Sequence, residues 1–355
     1  MADQTADLPA LAAHGGTHLP SVEVDSYNLE TQDDEGFLGD RITRAAFRDF
    51  IDDLRKRLRK RGEDPLGGEP TEELSKKTLD KLLVAGEPEA AGVVQGAIED
   101  FAHELAKVIG RFLKLKAWRD TERIAVGGGF RASRVGELVI GRADVILKAD
   151  GVDIEVAAVR NDPDAAGLIG AAHLVPSGVF KGHEAILAVD VGGTNVRVGI
   201  VELNLKRAPD LSKASVWKFD QWRHADDKPT REGAVRELVK MLQKLVPRAE
   251  DERLGLAPFI GIGCPGHIEP NGAIDRGAQN LPGNWESDNF NLPTRLCQSI
   301  PTIGGHETMV LMHNDAVVQG LSEVPFMQDV KHWGILTIGT GLGNARFTNH
   351  SQVDD

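Results

Sequence analysis

The stretch Ala185–Leu203, AILAVDVGGTNVRVGIVEL, constrains the fold more than any other. Ile186 to Val191 is a short apolar run of the kind that forms a buried strand. Gly192-Gly193-Thr194-Asn195 is a turn signal, and Val196, Val198 and Ile200 then alternate with Arg197 and Gly199, the period of a second strand. The product is a hairpin with an acid, Asp190, at the end of its first strand. A phosphate chain can approach a glycine turn because no Cβ intervenes, and backbone N–H groups can then face the oxygens. Asp190 could hold a divalent metal, usually through water. A strand follows the turn, whereas Walker loops and dinucleotide fingerprints lead into a helix. Taken alone, the same residues also fit a tight hairpin turn with an incidental acid.

Ahead of this hairpin, residues 1–40 read as a mobile acidic arm, with His14 and His18 as surface residues. Arg41–Arg61 and Thr71–Val84 carry apolar residues at helical spacing. The basic run Arg55–Arg61 reads as a solvated face near a helix C-terminus, where cations are favoured, and less readily as a nucleic-acid patch. Pro88–Leu115 is the longest helix signal, with Val94, Ala97, Ile98, Phe101, Leu105, Val108, Ile109 and Phe112 in one stripe. A short strand, Arg123–Val126, runs into Gly127-Gly128-Gly129, where backbone can pass close to a ligand or another segment. Arg142–Leu147 and Ile154–Val159 are expected as a strand pair, and Asn161-Asp162-Pro163-Asp164 as the cap of a small-residue helix over Ala165–Leu174. Val175–Glu184 reads as a linker.

Beyond the hairpin, Pro229–Val246 is amphipathic, and Phe259–Cys264 is a strand entering a Pro265-Gly266 turn. In Asn280-Leu281-Pro282-Gly283-Asn284-Trp285 the tryptophan either presents an apolar face beside amides to a ligand or anchors the loop to its own core. Met309–Met312 is a strand that delivers His313-Asn314-Asp315 to the start of a helix over Ala316–Glu323. An acid there can cap the helix or act as a base. Gly334–Ile338 is the last strand expected, followed by Gly339-Thr340-Gly341-Leu342-Gly343.

A chain of 355 residues suffices for two lobes with their own cores. Its net charge of −13 argues against general affinity for nucleic acid or anionic membrane. Two cysteines, Cys264 and Cys297, make neither a disulfide framework nor a cysteine-rich zinc site. The acidic N-terminus has no apolar core of a signal peptide, and no apolar run is long enough to span a bilayer, so a cytoplasmic location is the default.

Together the motifs resemble the ROK family of sugar kinases, in the hexokinase–actin–Hsp70 superfamily. The first phosphate motif, D-x-G-G-T-x-x-R, is matched by Asp190, Gly192, Gly193, Thr194 and Arg197, with Asn195 inside it, and the second, G-T-G-x-G, by Gly339, Thr340, Gly341 and Gly343. Gly127, Gly128 and Gly129 resemble the adenosine-binding glycines. The G-I-G-x-P-G segment ending at Gly266, the N-L-P-G-W loop starting at Asn280 with one residue inserted, and the Asn314-Asp315 pair resemble the sugar site. The resemblance implies an α/β, two-lobed, ribonuclease-H-like kinase fold, ATP and Mg²⁺ as partners of Asp190, and Asp315 as catalytic base. It further implies that the family's C-terminal half comes first: residues 41–176 match what should follow Gly343, residues 177–184 link, and residues 185–350 match the N-terminal half, a circular permutation. On that basis the three glycine clusters should line one nucleotide cleft. Two departures stand out. The zinc motif with its clustered cysteines is absent, so no zinc is expected. In the E-x-G-H element His18 can be the histidine, but Gly15 stands where the glutamate should be. The implied activity is ATP-dependent phosphorylation of a hexose, glucose first, with a homodimer admitted. The alternative is a non-catalytic, sugar-responsive regulator or binding protein.

Overall fold

The computed structural model describes residues 13–34 and 36–350. Ten strands there build two five-stranded sheets: β1 (Val22–Tyr27), β2 (Arg123–Gly127), β3 (Glu155–Ala158), β4 (Ala185–Val191), β5 (Val196–Glu202), β6 (Ser215–Trp222), β7 (Leu256–Cys264), β8 (Met309–Asn314), β9 (His332–Ile338) and β10 (Leu342–Asn349). The main helices are α1 (Arg44–Arg59), α2 (Lys76–Ala85), α3 (Pro88–Phe112), α4 (Arg134–Ala149), α5 (Pro163–Gly170), α6 (Arg231–Asp251), α7 (Leu292–Ser299) and α8 (Asp315–Leu321). No helix among the described residues is long and apolar enough to cross a membrane. The architecture is mixed α/β, as the sequence implies.

The chain divides into two compact units. Among the described residues the first holds 13–24, 167–326 and 350, with sheet order β8-β7-β4-β5-β6. Its central strand β4 pairs antiparallel with β5 and parallel with β7. Flanked on both sides, β4 is buried at every position except Asp190, which explains its unbroken apolar run. The segment expected as a closely packed helix, Ala165–Leu174, forms α5 and a short 3₁₀ turn. Its small residues are required: a Cβ on Gly261 of β7 would meet the Ala171 side chain at 2.8 Å.

The second unit holds residues 25–166 and 327–349, with sheet order β1-β10-β9-β2-β3. Here β9 pairs antiparallel with β10 and parallel with β2, and β2 is parallel to β3. The stripe on α3 is buried throughout and forms the centre of this unit's core with Phe47, Ile51 and Phe130. Each sheet therefore has one central strand, an antiparallel hairpin partner on one side and a parallel neighbour on the other.

Several expectations need correction. The units do not part at the linker: β9 and β10, with the second glycine motif, join residues 25–166, while residues 167–176 join the hairpin. Arg142–Leu147 is not a strand but the end of α4, because Val135, Val139, Ile140, Ala143, Ile146 and Leu147 form one buried helical face. Ser133 caps that helix by accepting from Gly136 N at 3.0 Å, and the Asp80 carboxylate accepts from Arg134 N and Val135 N. Within the arm expected over 1–40, residues 1–12 and Glu35 lie outside the described residues. The rest is built into the fold, since Val22 and Val24 of β1 are buried. His14 is likewise no surface residue: it is partly buried, its Nδ1 accepts from Met312 N at 3.1 Å, and burial lowers its pKa. Finally, Arg55 of the basic run is fully buried, not solvated. It bonds both Asp64 oxygens, the Thr71 hydroxyl and the Gly67 carbonyl, which together tie the loop after α1 to the helix.

Candidate active site

In the first unit three parallel strands end at one level. Register pairs Asp190 with Gly263 and Asn314 with Cys264, so β4, β7 and β8 bring their last residues side by side. The carboxyl ends of parallel strands are where open α/β sheets bind ligands. Two acids stand there. Asp190 is mostly buried, and its Oδ2 accepts from Arg197 Nη1 at 3.2 Å across the hairpin. Helix α5 approaches it so closely that a Cβ on Gly167 would stand 2.8 Å from the Asp190 carboxyl carbon.

Asp315 opens α8. Burial pushes its carboxyl up to about 7, and the nearby Asp190 charge pushes the same way, against hydrogen bonds from the backbone N–H groups of Ala316 and of Asp315 itself. The helix is instead capped by Asn314, whose Oδ1 accepts from Ala316 N and Val317 N at 3.0 and 3.3 Å. Asn314 Nδ2 donates to the Gly266 carbonyl at 3.0 Å, which fixes the amide. Gly266 has φ +105°, and a Cβ on it would lie 2.6 Å from the Arg276 carbonyl oxygen, so glycine is required in that turn. The Cys264 thiol is buried below both acids; burial first, then Asp315 and Asp190, push its pKa up and keep it protonated.

The glycine turn of the hairpin sits with these groups. Gly192 N donates to Asn195 O at 2.8 Å, and His224 Nε2 meets the Gly192 carbonyl at 2.8 Å. A Cβ on Gly193 would lie 3.0 Å from that of Asn280, so the turn packs directly on the Asn280 loop. Trp285 is 2 % exposed and donates to the Pro282 carbonyl at 2.9 Å; it anchors that loop and offers no open face. Sequence reasoning missed His313. It is buried, its pKa falls to about 4, its Nδ1 accepts from Asn314 N at 2.7 Å and its Nε2 lies 3.1 Å from the Gly16 carbonyl. That pattern fixes the neutral tautomer with the proton on Nε2. His18 is exposed, and its described contacts are Glu23 and His350.

The second unit brings Gly127–Gly129 and Gly339–Gly343 together. Gly127 pairs with Thr337, Phe130 N donates to the Ile338 carbonyl at 3.1 Å, and Gly128, at φ +81°, leaves no room for a Cβ against Ile338. Arg44 N donates to the Gly339 carbonyl at 3.0 Å, and Lys76 Nζ to the Gly129 carbonyl at 2.7 Å. A pocket with an apolar floor of Phe47, Leu74, Leu79 and Phe130 adjoins them, and Arg44, Arg48 and Lys76 line it. Those cations come from helices far away in sequence, and no local motif marks them.

Asp315 makes folding depend on pH. Its folded pKa, near 7, is above the ordinary 3.8, so the stability linked to its protonated form is complete below about pH 4 and lost as pH rises through 7. Asp315→Asn cannot ionise and should melt higher than wild type at pH 8, with the gap closing towards pH 4. Thermal melts across that range check this; an unchanged or reversed gap would contradict it.

No family model matches the chain. Over 166 residues, 46% of this chain and 44% of the relative, it is 27% identical to the glucokinase of Thermotoga maritima. Among solved structures, the ROK hexokinase from Thermus thermophilus aligns over 45% of each chain with a TM-score of 0.32 and 23% identity. A proposed sugar kinase from Cytophaga hutchinsonii aligns over 46% of this chain and 48% of its own, with a TM-score of 0.35 and 22% identity. The chain thus spans less than half the length of each. By name these three are a glucokinase, a ROK hexokinase and a proposed sugar kinase.

Proposed function

We propose that this protein is an ATP-dependent sugar kinase of the ROK type that phosphorylates a hexose hydroxyl, glucose being the first candidate. The observation that carries the reading is the pair of acids, Asp190 and Asp315, at the ends of two parallel strands that flank β7, one held by Arg197 and the other with its pKa raised to about 7 by burial. A general base near 7 suits proton abstraction at physiological pH. Asp315 would take the proton from the attacking hydroxyl, and Asn314, Gly266 and Asn280 would orient the sugar. Asn314 is already fixed by three hydrogen bonds, so little ordering would remain to be done on binding.

Asp190 would hold Mg²⁺, through water, beside the glycine turn Gly192–Asn195. The donor set fits a hard cation: a carboxylate oxygen ligand, next to a second carboxyl whose pKa is raised by burial first and by the Asp190 charge second. When bound, Mg²⁺ neutralises phosphate charge, which phosphoryl transfer chiefly requires. Gly127–Gly129 and Gly339–Gly343 would take the nucleotide, Lys76 adding positive charge. Zinc has no part in this reading. A sugar-responsive regulator without catalysis has no observation in its favour beyond the missing glutamate at Gly15.

The strand orders support the permuted arrangement. The first sheet reads third-second-first-fourth-fifth along β6-β5-β4-β7-β8 in chain order. The second reads the same along β1-β10-β9-β2-β3 if counting starts at β9 and continues from β10 to β1. A variant with residue 350 joined to residue 13 by a flexible linker, and new ends opened at Gly182, should fold and keep its activity; failure to fold would count against the permutation. For the chemistry, Asp315→Asn should lower kcat by roughly 10²–10⁴ while nucleotide binding stays nearly intact. Near wild-type turnover would remove Asp315 from its role.

A further inference from the structure

Strand β6 forms one edge of the first unit's sheet. The opposite edge, β8, is met by an N-terminal segment, with Gly15 N donating to the Met312 carbonyl at 3.0 Å and Met312 N to His14. Beyond β6 the sheet order holds no further strand among the described residues. The strand reads SVWKFDQW, and it exposes Trp217 to 36% and Phe219 to 43%. Open, aromatic edge strands invite pairing with another chain, and proteins normally blunt them. Here the blunting is partial. The register shifts between Ile200 and Val201, which leaves Trp217 as the extra residue of a bulge, while Lys218–Trp222 pairs regularly with Val196–Ile200.

The charges on that regular part are self-complementary. In an antiparallel pair related by a two-fold axis normal to the sheet, residues directly opposite share a face, so the axis must pass through a residue position. An axis at Lys218 sets Lys218 against Lys218, and one at Asp220 sets Asp220 against Asp220. Only an axis at Phe219 sets Lys218 against Asp220, twice, with Phe219 against Phe219 and Trp217 against Gln221. Opposite charges and aromatic pairs directly across a seam stabilise it, and like charges oppose it. Asp220 is 36% exposed and its other cationic neighbour, Arg248, is 3.8 Å away, so its carboxylate can serve both.

We propose that β6 joins two copies of this chain into a two-fold dimer through antiparallel pairing centred on Phe219. The occupant is a second copy because the strand complements itself in one register and opposes itself in the two adjacent ones. The proposal does not depend on the kinase reading. A seam of this length buries less than the ~1,200 Å² of a standard interface, so the dimer should form in the micromolar range and follow concentration.

Sedimentation velocity of the full chain tests this, with Lys218→Asp, Asp220→Lys and Phe219→Ser variants and melting curves for each. Wild type should dimerise as concentration rises, and each charge reversal alone should weaken the dimer about tenfold or more by setting like charges opposite. An equimolar mixture of the two charge-reversed chains should dimerise again, since one chain then carries acids at both positions, the other lysines at both, and each acid faces a lysine across the seam. Phe219→Ser should dissociate the dimer while the chain still folds with a cooperative melt, because the ring is 43% exposed and outside the unit's core. Wild type that stays monomeric to about 200 µM, single reversals that dimerise like wild type, or a mixture that stays monomeric would each overturn the proposal. Should Asp220→Lys fail to fold, unchanged dimers of both Lys218→Asp and Phe219→Ser would overturn it equally.

Discussion

The first unit depends on the parallel alignment of β4, β7 and β8. Register alone brings Asp190, Cys264 and Asn314 to one level, and Asp315 follows as the first residue of α8. Burying an acid there costs stability unless it keeps its proton, and the second acid raises that cost. Among the described ion pairs none relieves Asp315; the guanidinium of Arg197 goes to Asp190. An acid kept near neutrality in a buried site is a frequent mark of acid–base chemistry. The small residues around it follow from the same crowding, since Gly167 and Gly193 sit where a side chain would displace Asp190 and Asn280.

Much of this is legible in the sequence because it is local. The hairpin at Asp190–Arg197, the glycine clusters and the Asn314-Asp315 step announce themselves through short-range chemistry, and two of the glycine clusters, Gly127–Gly129 and Gly339–Gly343, lie side by side in the second unit. What fails is what depends on distant partners. His313 looks like an ordinary strand residue, and its carbonyl partner Gly16 is 297 residues away. Arg55 lies in a basic run whose other members face solvent, and only the return of Asp64 and Thr71 makes its burial affordable. Arg142–Leu147 has the β-branched look of a strand over six residues, and its helical period emerges only over the full length of α4. Strands β6 and β10 are polar on one or both faces, so the apolar signal used to find strands is weak in them.

The two sheets repeat one design, a central strand with a hairpin on one side and parallel strands on the other, and each places glycines where its central strand ends. In the first, the turn after β4 packs on Asn280; in the second, the turn after β9 packs beside Gly128. The same backbone solution thus recurs in both units. A glycine turn leaving a buried strand exposes N–H groups without a side chain in front of them, which suits phosphate oxygens. The surrounding residues differ: carboxylates and amides accompany the first turn, and Arg44 and Lys76 the second.

The most direct test of the sugar kinase assignment is phosphorus NMR of the purified chain with ATP, Mg²⁺ and single hexoses or amino sugars. The expected result is a sugar-phosphate resonance that grows together with ADP, in equal amounts, only when an acceptor sugar is present. ATP left unchanged with every sugar, or turned over equally without sugar to inorganic phosphate, would contradict it.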